Sequence, residues 1–259
     1  MPMANVQIRN WRSEIRNRAG SGMERSRRRK GRALRVLISA GPTREPIDPA
    51  RFVSNYSTGY MGAQLAAEAL GRGHRVTVVS GPLSERLPSG ARVIPVEQAR
   101  EMDQAMRRQA GRADVIIMAA AVADFRPAHV AVSKLTRQGR RLLQLEATLD
   151  IVARLPRRAG QLVVGFGVES DAILARAARK LRAKRLDLLV AQYVPSPTRV
   201  AGGHANGSGA PFGRHKVHAW LLARGGSVTP LGVSTKPRIA RVLLDKVEAL
   251  WYGQRRLEG

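Results

Sequence analysis

Residues 57–62 read Ser-Thr-Gly-Tyr-Met-Gly and lead directly into a segment whose alanines and leucines recur at helical spacing. Small residues at such a position let backbone N–H groups approach a phosphate, and the positive end of the helix dipole favours the negative charge. Gly41 begins the same long loop, directly after an apolar run. The pattern indicates a phosphate site, with a tight turn followed by a helix cap as the structural alternative.

A second stretch that could do chemistry is Ala119–Pro127, which reads AAAVADFRP. Small residues at the end of a buried strand allow a ligand to lie against the backbone. The carboxylate of Asp124 can accept a hydrogen bond from a ribose, base or substrate hydroxyl, or help to hold a metal ion. Lys134 follows shortly after. A helix cap or a turn is the structural alternative for Asp124.

Several familiar active-site motifs are absent from the sequence. No GxGxxG follows the first apolar run, and the chain has no GxxxxGK[ST], no Tyr-x-x-x-Lys and no GxSxG. It has no cysteine, which excludes disulfides, thiolate metal sites and a cysteine nucleophile. His215 and His218 have a possible ligand spacing, but on a strand they would point to opposite faces. We therefore expect no metal site made by protein side chains alone.

Alternating strands and helices must position these stretches. The apolar runs Arg35–Ala40 and Arg75–Ser80 flank the helical pattern Met61–Arg72, which predicts a β-α-β unit with parallel strands. The alternation continues, with strands expected at 91–96, 114–121, 142–145, 162–167 and 186–191, helices at 99–110, 151–155, 172–184 and 236–251, and a hairpin of 216–223 with 227–231. The predicted fold class is α/β: a Rossmann-like three-layer domain with a mostly parallel sheet and a small antiparallel extension.

Composition divides the chain into three parts. Residues 1–33 are crowded with Arg and Lys and are expected to form a disordered basic tail, 34–252 the α/β domain, and 253–259 a disordered C-terminus. The tail is consistent with phosphate contacts to nucleic acid, with an unstructured extension, or with an upstream start codon, Met23 being another candidate start. The Pro-, Gly- and Ser-rich segment 195–214 is predicted to be a long loop or a lid.

Charge and hydropathy limit the partners. The net charge is +26, from 45 Lys and Arg against 19 Asp and Glu. Such a field favours nucleic acid, anionic membrane or phosphorylated metabolites, although an arginine-rich composition spread over solvated faces explains the same number. No apolar run of about 18 residues occurs, so no membrane span is expected. The basic N-terminus lacks the apolar stretch of a secretory signal. A cytoplasmic location is expected.

The chain resembles the phosphopantothenate–cysteine ligase family in three motifs and in their order. The motifs are GPTREPIDPARFVSNYSTGYMG, AAAVADFRP with Lys134, and LVVGFG followed by Glu169. In bacteria the ligase domain is the C-terminal half of the bifunctional coenzyme A flavoprotein, and the resemblance spans about residues 34–252. It implies that 4′-phosphopantothenate is joined to cysteine through an acyl-nucleotide formed from CTP, or from ATP, with Mg²⁺. It further implies a homodimer. The flavin-binding half has no counterpart here, so no flavin is expected.

The resemblance assigns roles to individual positions. Asn55 matches an asparagine that contacts the phosphopantothenate part and steadies the acyl-nucleotide, and Lys134 matches the first lysine of a Lys-x-Lys-Lys motif; these are the two catalytic expectations. Arg51 matches an arginine that reaches the substrate phosphate across the dimer interface. The pocket positions are Ala120, Ala121 and Asp124 beside the substrate, and Gly41, Ser57, Gly59, Gly62, Asp124, Lys134, Asp150, Phe166, Lys180 and Lys184 around the nucleotide. From the residues alone, Phe166 fits a core side chain, and Lys180 with Lys184 fits a solvated helix face.

The sequence also departs from the family pattern on the nucleotide side. The segments Lys134–Arg137, Thr148–Ile151 and Ala191–Val194 replace Lys-x-Lys-Lys, Asn-Pro-Asp-Ile and Ala-Asn-Asp-Val, while Tyr60 replaces a lysine and Arg214-His215 replaces Ser-Asp. The alternative hypothesis is therefore a diverged paralogue that ligates another acid or only binds a nucleotide. A nucleic-acid-binding protein that uses the basic tail is a third hypothesis, and no platform of interleaved aromatic residues supports it.

Overall fold

The computed structural model describes residues 32–195 and 212–254. The fold described below belongs to the second of the two units of the chain, which begins at Ala33. The expectations for residues 1–31, for most of the long loop (196–211) and for residues 255–259 lie outside the described part.

Five helices and twelve strands occur within the described ranges. The helices are α1 (Tyr60–Gly71), α2 (Ala99–Ala110), α3 (Ile151–Arg154), α4 (Ile173–Ala183) and α5 (Lys236–Gln254). The strands are β1 (Arg35–Ala40), β2 (Arg44–Asp48), β3 (Arg51–Ser54), β4 (Arg75–Ser80), β5 (Arg92–Pro95), β6 (Val115–Met118), β7 (Phe125–Pro127), β8 (Leu145–Ala147), β9 (Leu162–Glu169), β10 (Leu188–Tyr193), β11 (Val217–Ala223) and β12 (Val228–Ser234).

Eight of the strands form one sheet in the order β12-β11-β10-β9-β6-β1-β4-β5. The six strands from β10 to β5 pair in parallel, with Val36 of β1 opposite both Val76 and Val115. The strands β11 and β12 add the antiparallel extension. The α/β class, the parallel sheet and the hairpin extension predicted from the sequence are confirmed.

Helices cover both faces of the sheet, which gives three layers. Ile38 of β1 packs in one buried cluster with Leu65 of α1 and Leu243 of α5. Its neighbour Leu37 points to the other face and packs with Met102 and Met106 of α2. Successive strand residues face opposite sides, and both sides of this strand are apolar because both are covered.

The structure differs from the sequence-based expectation in two short hairpins. The stretch between Gly41 and Gly62 was expected to be a plain loop, but β2 and β3 pair within it as an antiparallel hairpin. The strand expected at 142–145 is instead β8, which pairs only with β7. These strands have three to five residues, and those of β8 are all exposed, so no buried apolar periodicity marks them in the sequence.

The approach of α1 to β1 leaves no room for a side chain at Gly62. A Cβ there would lie 2.4 Å from the Cβ of Ala40. At Gly71, the last residue of the same helix, nothing lies within 4 Å of the corresponding position. Glycine is therefore required by packing at one end of α1 and not at the other.

We expect Gly62→Ala to destabilise the fold by about 1–3 kcal/mol, because the extra methyl group forces helix and strand apart. Gly71→Ala is the matched control, and we expect it to be neutral or stabilising by up to about 1 kcal/mol, since alanine restricts the unfolded chain. Chemical denaturation of both variants measures the difference. Equal stability of the two variants would contradict the packing constraint.

Candidate functional site

A cavity of about 570 Å³ opens at the edge of the sheet where the parallel strands β6 and β9 end. This is the edge at which ligands bind in open α/β sheets. Residues from the loop before α1, from the ends of β6 and β9, from the segment between β8 and α3, and from α4 line it. Nine of the positions singled out in the sequence are among them: Asn55, Ser57, Ala120, Ala121, Asp124, Asp150, Phe166, Lys180 and Lys184.

The chain after β6 forms one wall of the cavity and is held by the chain after β1. The backbone N–H of Ala120 donates to Ser39 Oγ at 3.2 Å, and that of Ala121 donates to the Gly41 carbonyl at 2.9 Å. The N–H of Ala123 donates to Thr43 Oγ1 at 3.0 Å. The small side chains leave this backbone accessible, so a flat ligand can lie directly against it.

The side chain of Asn55 has a defined orientation in the cavity. Its Nδ2 donates to the carbonyl oxygens of Ala121 at 3.0 Å and Val122 at 3.1 Å. Only an NH₂ group can satisfy two carbonyl acceptors, so Nδ2 and Oδ1 are not interchangeable here. Both donor hydrogens are used within the protein. Asn55 therefore offers a ligand its Oδ1, which is a hydrogen-bond acceptor.

Asp124 is an exposed carboxylate in the same cavity. Its backbone carbonyl accepts from the N–H of Thr148 at 3.0 Å. This bond joins β7 to the chain after β8. The carboxylate itself forms no hydrogen bond or ion pair with another side chain in the described ranges, so it is available to a ligand.

Lys180 of α4 and Lys184, which directly follows this helix, bring positive charge to the cavity. Lys180 Nζ lies 3.5 Å from the carboxylate of Glu169, and Lys184 Nζ lies 3.2 Å from that of Asp150. Each side chain is about one-third exposed. Asp150 also caps α3 by accepting from the N–H of Ala153 at 3.1 Å. The two lysines thus face the cavity, and each has an acidic partner that an anionic ligand could replace.

The glycines of the first loop lie beside the cavity and do not line it. Gly41 and Gly59 have φ angles of +80° and +81°, and a Cβ at either position would come within 2.6 Å of Leu83 Cδ2. Positive φ favours glycine at both positions, whereas Leu83 Cδ2 is the end of a flexible side chain that can move aside. Gly62 faces Ala40. The structure therefore gives all three a conformational or packing reason, independent of any phosphate contact predicted for them.

Arg51 and Lys134 also lie outside the cavity lining. Arg51 forms an ion pair with Asp48 and donates to the Leu135 carbonyl at 2.7 Å, while the N–H of Leu135 donates to Asp48 at 3.0 Å. Hydrogen bonds from Arg51 hold the pKa of Asp48 well below its usual range, although burial opposes this. This network ties the β2–β3 hairpin to the segment that carries Lys134, whose side chain is exposed.

The protein matches a known domain over nearly all of the second unit. The family model of the DNA/pantothenate metabolism flavoprotein C-terminal domain matches residues 31–250. The chain belongs to this family. The resemblance proposed from the motifs is therefore confirmed.

Named relatives agree with the family assignment. The coenzyme A biosynthesis bifunctional protein CoaBC of Bacillus subtilis (strain 168) is 39% identical over 218 residues, covering 83% of this chain and 51% of that protein. A cysteine/cysteine sulfinic acid decarboxylase from an unknown prokaryotic organism is 37% identical over 220 residues, covering 83% and 58%. The solved C-terminal domain of CoaBC has a TM-score of 0.68 and 32% identity, covering 85% of this chain and 96% of that one. The chain spans about half the length of the curated relatives it matches.

The described residues contain neither a cluster of metal-ligating side chains nor a helix suited to crossing a membrane. No group of three or more His, Cys, Asp and Glu side chains in these ranges is placed to hold a metal ion. Within the same ranges, no helix combines the length and the apolarity that crossing a bilayer requires.

Sequence reasoning missed a buried lysine next to the start of α1. Lys236, the first residue of α5, is only 2% exposed and donates to the Gly213 carbonyl. Its Nζ lies 6.0 Å from the centre of the Tyr60 ring. The guanidinium carbon of Arg214 lies 5.2 Å from the centre of the same ring. Burial lowers the pKa of Lys236 to about 8, and nearby Glu85 opposes the shift. A lysine at a helix start carries no signal of burial in the sequence.

We expect the free energy of unfolding to increase when Lys236 loses its proton. Below about pH 8 the ammonium is charged in both states, and the folded state bears the full burial penalty. Between that pH and about 10.4, the unfolded lysine keeps a proton that the folded one has lost, so stability rises with pH. We expect Lys236→Met to remove this rise.

Urea denaturation of wild type and Lys236→Met at pH 7 and at pH 9 measures the effect. The quantity compared is the difference in the free energy of unfolding between the two proteins at each pH. Glu85 and Arg214 are present in both proteins, so their contributions cancel in this difference. Lys216→Met, which removes an exposed lysine, is the control and should show no pH-dependent difference. A Lys236→Met difference that is identical at both pH values would contradict the burial argument.

Proposed function

We propose that this chain is a phosphopantothenate–cysteine ligase. In the first step a carboxylate oxygen of 4′-phosphopantothenate attacks the α-phosphorus of a nucleoside triphosphate, and pyrophosphate leaves. In the second, the amine of cysteine attacks the acyl carbon, loses a proton and expels the nucleoside monophosphate. The family assignment and the coenzyme A biosynthesis relatives support this proposal. CTP is the nucleotide we propose first, with ATP as the alternative.

The observation that carries the proposal is one cavity that combines an oriented amide acceptor, an unpaired carboxylate and two cations. Both substrates are anionic at their phosphates, and Lys180 and Lys184 supply compensating charge on the α4 wall. A reaction of this kind needs positioning and charge stabilisation more than it needs a protein nucleophile. The absence of cysteine from the chain is no obstacle to such chemistry.

Asn55 and Asp124 line the same cavity as the lysines. With its Nδ2 committed to Ala121 and Val122, Asn55 can accept from an N–H or hydroxyl of the pantothenate part through Oδ1. Asp124 can accept from a hydroxyl of the ribose or of the substrate. These two groups would hold the acyl-nucleotide so that the amine of cysteine reaches the acyl carbon.

Mg²⁺ fits this site as a companion of the triphosphate. The described residues offer no ready-made cage of carboxylates, and Mg²⁺ in nucleotide enzymes is usually held by phosphate oxygens, waters and one or two carboxylates. Asp124 is the carboxylate in the cavity for which the described residues provide no side-chain partner. When bound, the ion would neutralise part of the triphosphate charge, in addition to the contribution of Lys180 and Lys184.

A homodimer is the assembly we propose, formed through an arm of the two hairpins β2–β3 and β7–β8. Exposed apolar side chains cluster on this arm and on the chain that joins β7 to β8: Phe52, Phe125, Val130, Val132, Leu142, Leu143 and Leu145. Apolar surface of this extent on adjacent elements is typical of an interface. Arg51 lies on the same arm, about half exposed, where it could reach a partner's substrate.

The reaction is tested by measuring pyrophosphate release with 4′-phosphopantothenate, Mg²⁺ and either CTP or ATP, with and without cysteine. We expect release with one nucleotide and an increase when cysteine is added. Asn55→Ala should abolish product formation without lowering the unfolding temperature. The control Gln104→Ala removes an exposed amide of α2 and should leave the rate unchanged. A folded protein that releases no pyrophosphate with either nucleotide would favour the diverged-paralogue hypothesis.

The dimer is tested by placing a charge on the arm. Val132 is 97% exposed, and Val233 on the distant edge strand β12 is 67% exposed. We expect Val132→Glu to shift the protein from dimer to monomer in light scattering after size exclusion, because an interface core excludes an unpaired carboxylate. Val233→Glu should leave the mass unchanged. If both variants keep the wild-type mass, the arm is not the interface.

A further inference from the structure

A second cavity, of about 540 Å³, lies at the other edge of the sheet, where β9 and β10 begin. Its walls come from the turn before β9, from the last turn of α4 and the residues after it, and from the turn between β11 and β12. Five of its lining residues are arginines and one is a carboxylate: Arg157, Arg158, Arg182, Arg185, Arg224 and Asp187. The formal charge of the lining is therefore +5 − 1 = +4.

The one carboxylate is already engaged. Asp187 accepts from the N–H of Val163 at 2.8 Å through one oxygen and pairs with Arg224 at 3.1 Å through the other. It can neutralise one guanidinium at most. Four positive charges thus share the cavity without a counter-ion from its own lining.

Three of the guanidinium groups are fixed in place by backbone carbonyls. Arg157 donates to the carbonyls of Arg185 and Lys184 at the end of α4, and Arg224 donates to that of Arg185 at 2.8 Å. Arg158 donates to the Ala113 carbonyl at 2.7 Å and pairs with Asp114 outside the cavity. These bonds place the three guanidinium groups beside the cavity.

The remaining two arginines keep their donors free. Neither Arg182 nor Arg185 makes a side-chain hydrogen bond or an ion pair within the described part of the chain. Arg185 also has a φ of +49°, a left-handed conformation that glycine usually takes just after a helix. A large side chain in that conformation is unfavourable.

The neighbouring charges affect the pKa of Arg157. Burial lowers the pKa of the Arg157 guanidinium; Asp187 opposes this, but Arg224 and Arg185 lower the pKa further. Like charges held together in this way gain from an anion that several of them can contact at once. A concave site of this volume is larger than one phosphate group requires.

We propose that this arginine cavity binds a small anion with two or more linked phosphates, such as inorganic pyrophosphate or the diphosphate of a nucleotide. The fixed guanidinium groups of Arg157, Arg158 and Arg224 form the base of the site. Arg182 and Arg185 supply the free donors that close on the ligand. This site lies at the opposite edge of the sheet from the proposed ligase cavity and does not depend on that activity.

The test is calorimetric titration of the full chain with inorganic pyrophosphate at physiological ionic strength. All proteins carry Lys180→Gln and Lys184→Gln, so that binding in the ligase cavity does not contribute. We expect Arg182→Gln with Arg185→Gln to weaken binding at least tenfold. Arg100→Gln with Arg108→Gln, which removes the same charge from exposed positions on α2, should retain it.

Thermal unfolding provides a second readout that needs no catalysis. Pyrophosphate should raise the unfolding temperature of the control and not that of the cavity variant, since a ligand stabilises only the state that binds it. A nucleoside diphosphate is titrated alongside: equal affinity identifies the linked phosphates as the ligand, and tighter binding identifies the whole nucleotide. No binding, or equal weakening in both arginine pairs, would overturn the proposal.

Discussion

The parallel pairing of β1 with β4 on one side and β6 on the other is the constraint on which the candidate site depends. Parallel strands end at the same edge, so the loop after β1 and the chain after β6 leave the sheet side by side. Hydrogen bonds then continue beyond the strands, from Ala121 to Gly41 and from Ala123 to Thr43. Asn55 finds its two carbonyl partners only because this wall is fixed.

Glycines set the path of the chain from β1 into α1. Gly62 lets α1 approach Ala40 closely, while Gly41 and Gly59 supply the left-handed conformations that the loop requires. This path places the start of α1 and the loop before it beside the cavity. The proposed reaction depends mainly on positioning its two anionic substrates, so a defined path here favours it.

Electrostatics differ at the two edges of the sheet. At the proposed ligase cavity, Lys180 and Lys184 each have an acidic partner, so their charge is balanced until a ligand replaces that partner. At the arginine cavity, Asp187 is the one carboxylate in a lining with five arginines. Arg158 has a counter-ion outside the lining, Asp114, and the remaining positive charge is not balanced. A net charge of +26 does not by itself distinguish these situations. Their difference lies in which carboxylates the fold brings within reach.

The sequence by itself determined the order of the helices and of the eight strands of the main sheet, the parallel sheet with its antiparallel hairpin, and the motifs that identify the family. Apolar periodicity and long motifs are local along the chain, so they can be recognised without knowledge of the fold. Only the tertiary structure decided that the amide of Asn55 donates to two backbone carbonyls, that Lys180 and Lys184 line the cavity, and that Lys236 is buried. It also decided that Arg157, Arg185 and Arg224, far apart in the chain, meet in one cavity. These features depend on contacts between distant segments, which no local pattern records.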